Sequence, residues 1–264
     1  MATPPEALIA RAKALKLHGL LAHWEDVAAT DWGAPLIAWE EDERARRGLE
    51  RRLGNAHLGR FKPLADFDWQ WPTQCDRAAI ADLMGLRFLA ETANVVLVGP
   101  NGVGKSMIAR NIAHQALLAG HTVLFTSAGH MLNELAGADG DHALRHRLTV
   151  YARPRLLVID EVGDLSYSNR HADLLFEIVS RRDEAKSTLI TTNRPFAEWG
   201  AVFPNAACVV SLVDRLVHHA EIISIQGESY RLKEAKARAE QRQQTRTAAT
   251  RGSPRTTNPA ETPP

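Results

Sequence analysis

Short aliphatic runs with polar ends recur through the second two-thirds of the chain: NVVLVG from residue 94, TVLFTS from 122, RLLVIDE from 155, STLITTN from 187 and EIISIQG from 221. Each has the length of a strand, and the stretches between them space their apolar residues at helical intervals. Aliphatic strands separated by helices predict a parallel sheet covered on both faces, so the body is a three-layer α/β structure. Upstream the pattern changes. Leu8, Ala12, Leu15, Leu20 and Trp24 recur among charged residues over 5–30, and LIAWEEDERARRGLERRLGNAH gives a second helical stretch over 36–58. These predict a small helical N-terminal module. GRFKPLADFDWQWPT then breaks the period with two prolines and four aromatics, which reads as an irregular linker packing on the body, with the boundary near residue 70. The final stretch has almost no large apolar residues and ends in prolines, which predicts disorder from about residue 236. The expected organisation is therefore 1–69, a helical module and linker; 70–235, the α/β body; and 236–264, a disordered tail.

The first strand runs directly into Gly99, Pro100, Asn101, Gly102, Val103, Gly104, Lys105, Ser106 and Met107, a GxxxxGKS pattern between a predicted strand and a predicted helix. That context makes it a phosphate site. Glycines let consecutive N–H groups and the helix N-terminus point at phosphate oxygens. Lys105 adds a point charge at the β- and γ-phosphates, and the Ser106 hydroxyl completes a Mg²⁺ shell. A nucleoside triphosphate with magnesium is the implied ligand.

The third strand ends in Asp160 and Glu161. Asp160 is placed to hold Mg²⁺ through water, and Glu161 to activate a water for in-line attack on the γ-phosphate. An acid directly after the magnesium aspartate favours hydrolysis over transfer to a metabolite. The fourth strand ends in Asn193, whose carboxamide either orients the attacking water or is an ordinary strand-to-turn residue. With the two preceding motifs supplying a site, the first reading is preferred. The chain has no NKxD for guanine and no LSGGQ-like transporter signature, which leaves adenine as the base.

Composition adds limits. Hydrophobic residues make up 45% of the 264 and charged residues 24%, an ordinary globular balance. The N-terminus lacks the apolar core of a signal peptide and no run reaches bilayer length, so a cytoplasmic protein is expected. Cys75 and Cys208 show no metal-ligand spacing and read as structural thiols. A net charge of +1 does not announce a nucleic-acid binder, so any such reading must rest on local patches.

GPNGVGKS, LLVIDE, LITTN followed by RPFAEWG, and LVDRLVHHAEIISIQGESYRLKE together resemble the IstB-type transposition helper ATPases, a branch of the AAA+ superfamily close to the DnaC/DnaI helicase loaders. The resemblance runs from about residue 5 to 235. It implies an ATP-dependent homo-oligomer that binds and deforms duplex DNA and recruits or stimulates the partner transposase of an insertion sequence. It also implies that one subunit supplies an arginine to its neighbour's ATP. By position in VDRLVHH, Arg215 resembles that trans finger, with Arg181 and Arg182 as substitutes; Arg231 in GESYR resembles a second nucleotide-sensing arginine. The chain departs from the family's common wording at Asn101 and Ser106, neither of which removes a phosphate or magnesium contact. A replicative helicase loader of the DnaC/DnaI type is the alternative within the same fold, and a small-molecule kinase the alternative outside it.

Duplex binding rests on neutralising backbone charge, so clustered Arg and Lys are the candidates. One cluster holds Arg44, Arg46, Arg47, Arg51, Arg52, Arg60 and Lys62; a second holds Arg145, Arg147, Arg153 and Arg155; the tail is a third. The first follows EEDE and reads equally well as a solvated helix. From these, Arg47, Arg51, Arg52, Arg145, Arg147 and Arg153 are taken as DNA-binding candidates. No recognition-helix motif accompanies them, so binding with little sequence preference is expected. The six tryptophans are read as packing residues in cores and junctions.

Overall fold

The computed structural model describes residues 5–164, 167–204 and 206–251. All five predicted strands form, as β1 (Asn94–Val98), β2 (Val123–Ser127), β3 (Leu156–Val162), β4 (Ser187–Thr192) and β5 (Ala220–Ser224). They pair in parallel in the order β2-β3-β4-β1-β5. Successive strand residues feed opposite faces, and both faces are apolar. Val96, Leu157, Ile159 and Ile190 enter one core; Val95, Leu97, Leu156, Val158 and Leu189 enter the other. That is why the runs read as continuous aliphatic stretches rather than alternating ones.

Helices α1 (Pro5–Ala14), α2 (His18–Ala22), α3 (Trp24–Ala28) and α4 (Gly33–Asn55) make the N-terminal module; α5 (Arg77–Met84) and α6 (Arg87–Ala90) lead into β1. Beyond it come α7 (Lys105–Leu118), α8 (Ala128–Ala136), α9 (Gly140–Ala152), α10 (Asn169–Arg182), α11 (Trp199–Val202), α12 (Ala206–His218) and α13 (Tyr230–Arg251). Helix α7 covers one face of the sheet with α5 and the linker; α8, α10 and α12 cover the other. Among the described residues no helix is long and apolar enough to cross a membrane.

The module has its own small core of Ala12, Leu15 and Ile37, closed by a two-pronged Arg11–Glu41 pair between α1 and α4 at 2.9 and 2.6 Å. The stretch over 5–30 is three helices rather than one, because Lys16 takes a left-handed conformation (φ 56°) and ends the first. Two tryptophans depart from the expectation of packing: Trp32 and Trp39 are exposed, Trp39 by 65%. The chain also stays helical to Arg251, past the predicted start of disorder. Ala, Glu, Gln and Arg are strong helix formers, so a segment without a core still carries local helical preference. Residues 252–264, the rest of the predicted tail, lie outside the described residues.

Candidate nucleotide site

The turn from β1 to α7 is built around two residues that only glycine suits. Gly102 (φ 87°) and Gly104 (φ 101°) are left-handed, and a Cβ on either would collide, with the Ser229 side chain and the Phe67 ring respectively. The loop is therefore tight and packed from outside. Gly99 N–H donates to Thr192 O at 3.1 Å, holding the loop's start to β4. Lys105, buried as the first residue of α7, donates from Nζ to Gly99 O (2.6 Å) and Pro100 O (2.8 Å), which leaves one ammonium proton for a phosphate oxygen. Burial pushes its pKa down, and the carboxylates of Asp164 and Asp160 oppose that push.

Beside the loop, Ser106 Oγ donates to Asp160 Oδ1 at 2.8 Å. A hydroxyl and a carboxylate so close form an all-oxygen donor pair of the kind that suits a hard cation such as Mg²⁺. Asp160 is buried, with 5% exposure, at the end of β3. Glu161 follows it in a left-handed conformation (φ 62°), at a register shift between β3 and β4. Asn193, just past β4, has a buried Oδ1 with no hydrogen-bond partner among the described residues. An acceptor buried without a donor costs on the order of 1–3 kcal/mol, so stability alone does not explain this carboxamide.

These residues face one cavity of about 400 Å³. Asn101, Gly102, Val103, Gly104, Lys105, Ser106 and Met107 line it, with Glu161, Asn193 and Arg231. Gly99 and Pro100 stand behind, contributing carbonyls to Lys105, and Asp160 reaches the site through Ser106. Arg215 does not line this cavity; its guanidinium lies 4.8 Å from the centre of the Phe176 ring, where α12 packs on α10.

Sequence reasoning missed half of the wall. Phe61, Lys62, Asp66, Phe67 and Trp71 come from the segment read as a linker, and Tyr230 and Glu234 from the start of α13. The two segments are tied by Lys62–Glu234 (2.9 Å), Lys233–Asp68 (3.2 Å) and Trp71 Nε1 donating to Glu228 O (2.8 Å). Tyr230 N–H donates to Gly102 O at 3.0 Å, which seats α13 on the phosphate loop. The one available signal was four aromatics placed just upstream of a phosphate loop. Asp164 was also missed: burial pushes its carboxyl pKa up, against the nearby Lys105.

The arginines read as DNA contacts divide. Arg47 pairs with Glu43 at 2.6 Å, and Arg52 Nε donates to Leu117 O, the end of α7, at 3.3 Å; Arg51 is exposed. Arg147 pairs with Glu134 at 3.1 Å, while Arg145 and Arg153 are exposed and make no ion pair among the described residues. Arg182, one of the two substitute fingers, is ruled out by burial: it is 1% exposed and bonded to backbone carbonyls.

The family model for IstB-like ATP binding proteins matches residues 10–239. The chain is 38% identical over 195 residues to the ATP-binding protein assigned to insertion sequence IS21 of Pseudomonas aeruginosa, covering 74% of each chain. It is 32% identical over 205 residues to the one assigned to IS5376 of Geobacillus stearothermophilus, covering 78% of this chain and 82% of that one. Among solved structures, a crystal structure of DnaI superposes with a TM-score of 0.52 at 22% identity, over 64% of this chain and 92% of that one, a likeness of fold.

Proposed function

Because the chain belongs to the family of IstB-like ATP binding proteins, we propose that it is the ATPase of an insertion sequence, hydrolysing ATP to control its own assembly on duplex DNA and its recruitment or stimulation of a partner transposase. One observation carries the hydrolytic reading. The phosphate loop, Glu161 and Asn193 line the same cavity, and Asn193 has a buried Oδ1 with no partner among the described residues. A site that only bound nucleotide has no need of a carboxylate and a carboxamide in the wall that also carries Lys105.

The geometry of the cavity and the family resemblance support the following roles. Loop N–H groups and the N-terminus of α7 receive the phosphates, with Lys105 at the β- and γ-oxygens. Ser106 and Asp160 would hold Mg²⁺, which would supply charge neutralisation at the phosphates. Glu161 takes a proton from the attacking water while Asn193 Oδ1 accepts its other hydrogen, so the oxygen lone pair is aimed in line. Arg231 reads the phosphate charge from α13. Arg215, outside its own cavity, serves the site of a neighbouring copy, which makes hydrolysis sensitive to assembly. The insertion-sequence relatives support the transposition context.

Sedimentation with random duplex or single-stranded DNA, each with and without ATP and Mg²⁺, tests this reading. A large complex requiring both ATP and duplex is the expected result. Glu161→Gln retains that complex and slows its loss, since binding persists while hydrolysis stops; Lys105→Ala does not form it. Assembly on single strands alone overturns the transposition reading in favour of a helicase loader. ATP turnover that depends on a metabolite and ignores DNA overturns both.

A further inference from the structure

The end of β3 is irregular at the two acids on which the site depends. Register with β4 holds through Ile159↔Ile190 and resumes at Val162↔Thr192, so Asp160 and Glu161 fall in a bulge. Glu161 takes a left-handed backbone there, which for a residue with a Cβ costs of order 1–2 kcal/mol. The N–H that a regular ladder would pair with a β4 carbonyl points elsewhere: it donates to the side-chain hydroxyl of Thr191 at 3.0 Å. That hydroxyl donates its own proton to Asp160 Oδ1 at 2.5 Å. Thr191 is completely buried and its side chain borders the nucleotide cavity.

One hydroxyl thus replaces the missing ladder bond and fixes both acids, Glu161 through its main chain and Asp160 through its carboxylate. Asp160 Oδ1 also accepts from Ser106, so the chain Glu161 N–H, Thr191 Oγ1, Asp160 Oδ1, Ser106 Oγ joins β3, β4 and the phosphate-loop helix in consecutive hydrogen bonds. We infer that Thr191 is a positioning residue for hydrolysis, setting the aim of the Glu161 carboxylate by holding the bulge. This rests on the hydrolytic reading above and extends it to a residue of β4, outside the phosphate loop. A β-branched apolar residue fills the same volume without the hydroxyl. It leaves the Glu161 N–H without its side-chain partner, releases Asp160 from one of its two donors, and leaves the phosphate-loop sequence unchanged.

The experiment compares Thr191→Val and Thr191→Ser in the full chain, with Glu161→Gln as control, measuring ATP affinity, kcat and KM. Val is expected to lower kcat at least tenfold while ATP affinity stays within about threefold of the parent; Ser, which keeps the hydroxyl, restores kcat to within about threefold. In the Glu161→Gln background, adding Thr191→Val lowers turnover no further. Parental kcat in Thr191→Val overturns the inference, as do equal losses in Val and Ser or a loss of affinity matching the loss of kcat. If Val does not fold, Thr191→Cys keeps the shape with weaker bonds and is expected to turn ATP over more slowly than Ser and faster than Glu161→Gln; a Cys variant equal to the parent overturns the inference. A parent that binds ATP and never turns it over, with or without duplex, overturns the hydrolytic reading itself. Turnover abolished by Glu161→Gln but untouched by Thr191→Val overturns only the role of Thr191.

Discussion

Among the described residues, Arg182 is a cation buried without an acid paired to it. Its guanidinium donates to the carbonyls of Tyr151, Ala152, Pro154, Arg155 and Ser187 and to the Thr188 hydroxyl. Burial pushes its pKa down, with the charge on Arg155 adding to the effect. A planar fork with five N–H donors suits this site better than any other side chain, because the end of α9 leaves carbonyls that the turn into β3 does not pair. Removing it strands several buried acceptors, each worth about 1–3 kcal/mol, partly recovered by water. Arg182→Ala is therefore expected to lower unfolding stability by roughly 3–5 kcal/mol, several stranded acceptors less what water restores. Arg181→Ala, whose exposed side chain pairs with Glu177 one turn back, should change it by less than about 0.5 kcal/mol. Urea denaturation of the two variants checks the contrast. The pair also shows a limit of reading a sequence: adjacent arginines after one apolar helical stretch look interchangeable, and only the helical rotation between them sends one into the core.

At the scale of elements, the nucleotide site is closed by two segments far apart in the chain. Trp71 illustrates the arrangement: its indole donates to Glu228 O, Lys233 Nζ lies 4.0 Å from its ring centre, and the side chain borders the cavity. Aromatic and cation–π contacts together are worth about 0.5–2 kcal/mol, so Trp71→Ala should weaken ATP binding roughly three- to thirtyfold. Saturated turnover should hold within about threefold, since Glu161 and Asn193 belong to the sheet. Titration with a fluorescent ATP analogue tests the first expectation, and Trp39→Ala, at an exposed tryptophan of α4, is the neutral control. The strands and the phosphate loop were legible because each is local: an aliphatic run and GxxxxGKS carry their meaning within a few residues. The linker wall was not, because Lys62 and Asp68 acquire a role only through Glu234 and Lys233 across the fold. Nor was the bulge at Glu161, since no residue pattern there announces a left-handed backbone. Asn193 was legible as a strand end; its unpartnered acceptor needed the packing around it.

At the scale of the whole molecule, charge pairing separates the basic clusters that the proposed assembly on duplex DNA would use. On α4 the guanidinium groups of Arg46 and Arg47 hold the Glu43 carboxyl down to about 2, and Arg44 and Arg46 also meet Glu40 and Glu50. Helix α4 therefore neutralises most of its own charge, as the acids ahead of the cluster suggested. Helix α9 and the turn after it differ. Arg147 is drawn back to Glu134, but Arg145 and Arg153 stand exposed and unpaired among the described residues, one near the middle of the helix and one just beyond its end. Two free cations at that spacing fit phosphate binding better than a ladder of i,i+4 pairs, where each phosphate must first displace a carboxylate. Removing one phosphate-binding cation reduces the slope of log affinity against log salt by about 0.9. Arg145→Glu with Arg153→Glu should thus cut the slope for duplex binding by about 2 and weaken binding uniformly across sequences. Arg44→Ala with Arg47→Ala should move the slope by less than about 1, because those charges are already satisfied. Fluorescence anisotropy over a salt series, with ATP and Mg²⁺ present, distinguishes them. Equal effects from both pairs would place DNA across both helices, and a larger effect from α4 would mean that its ion pairs open when DNA arrives.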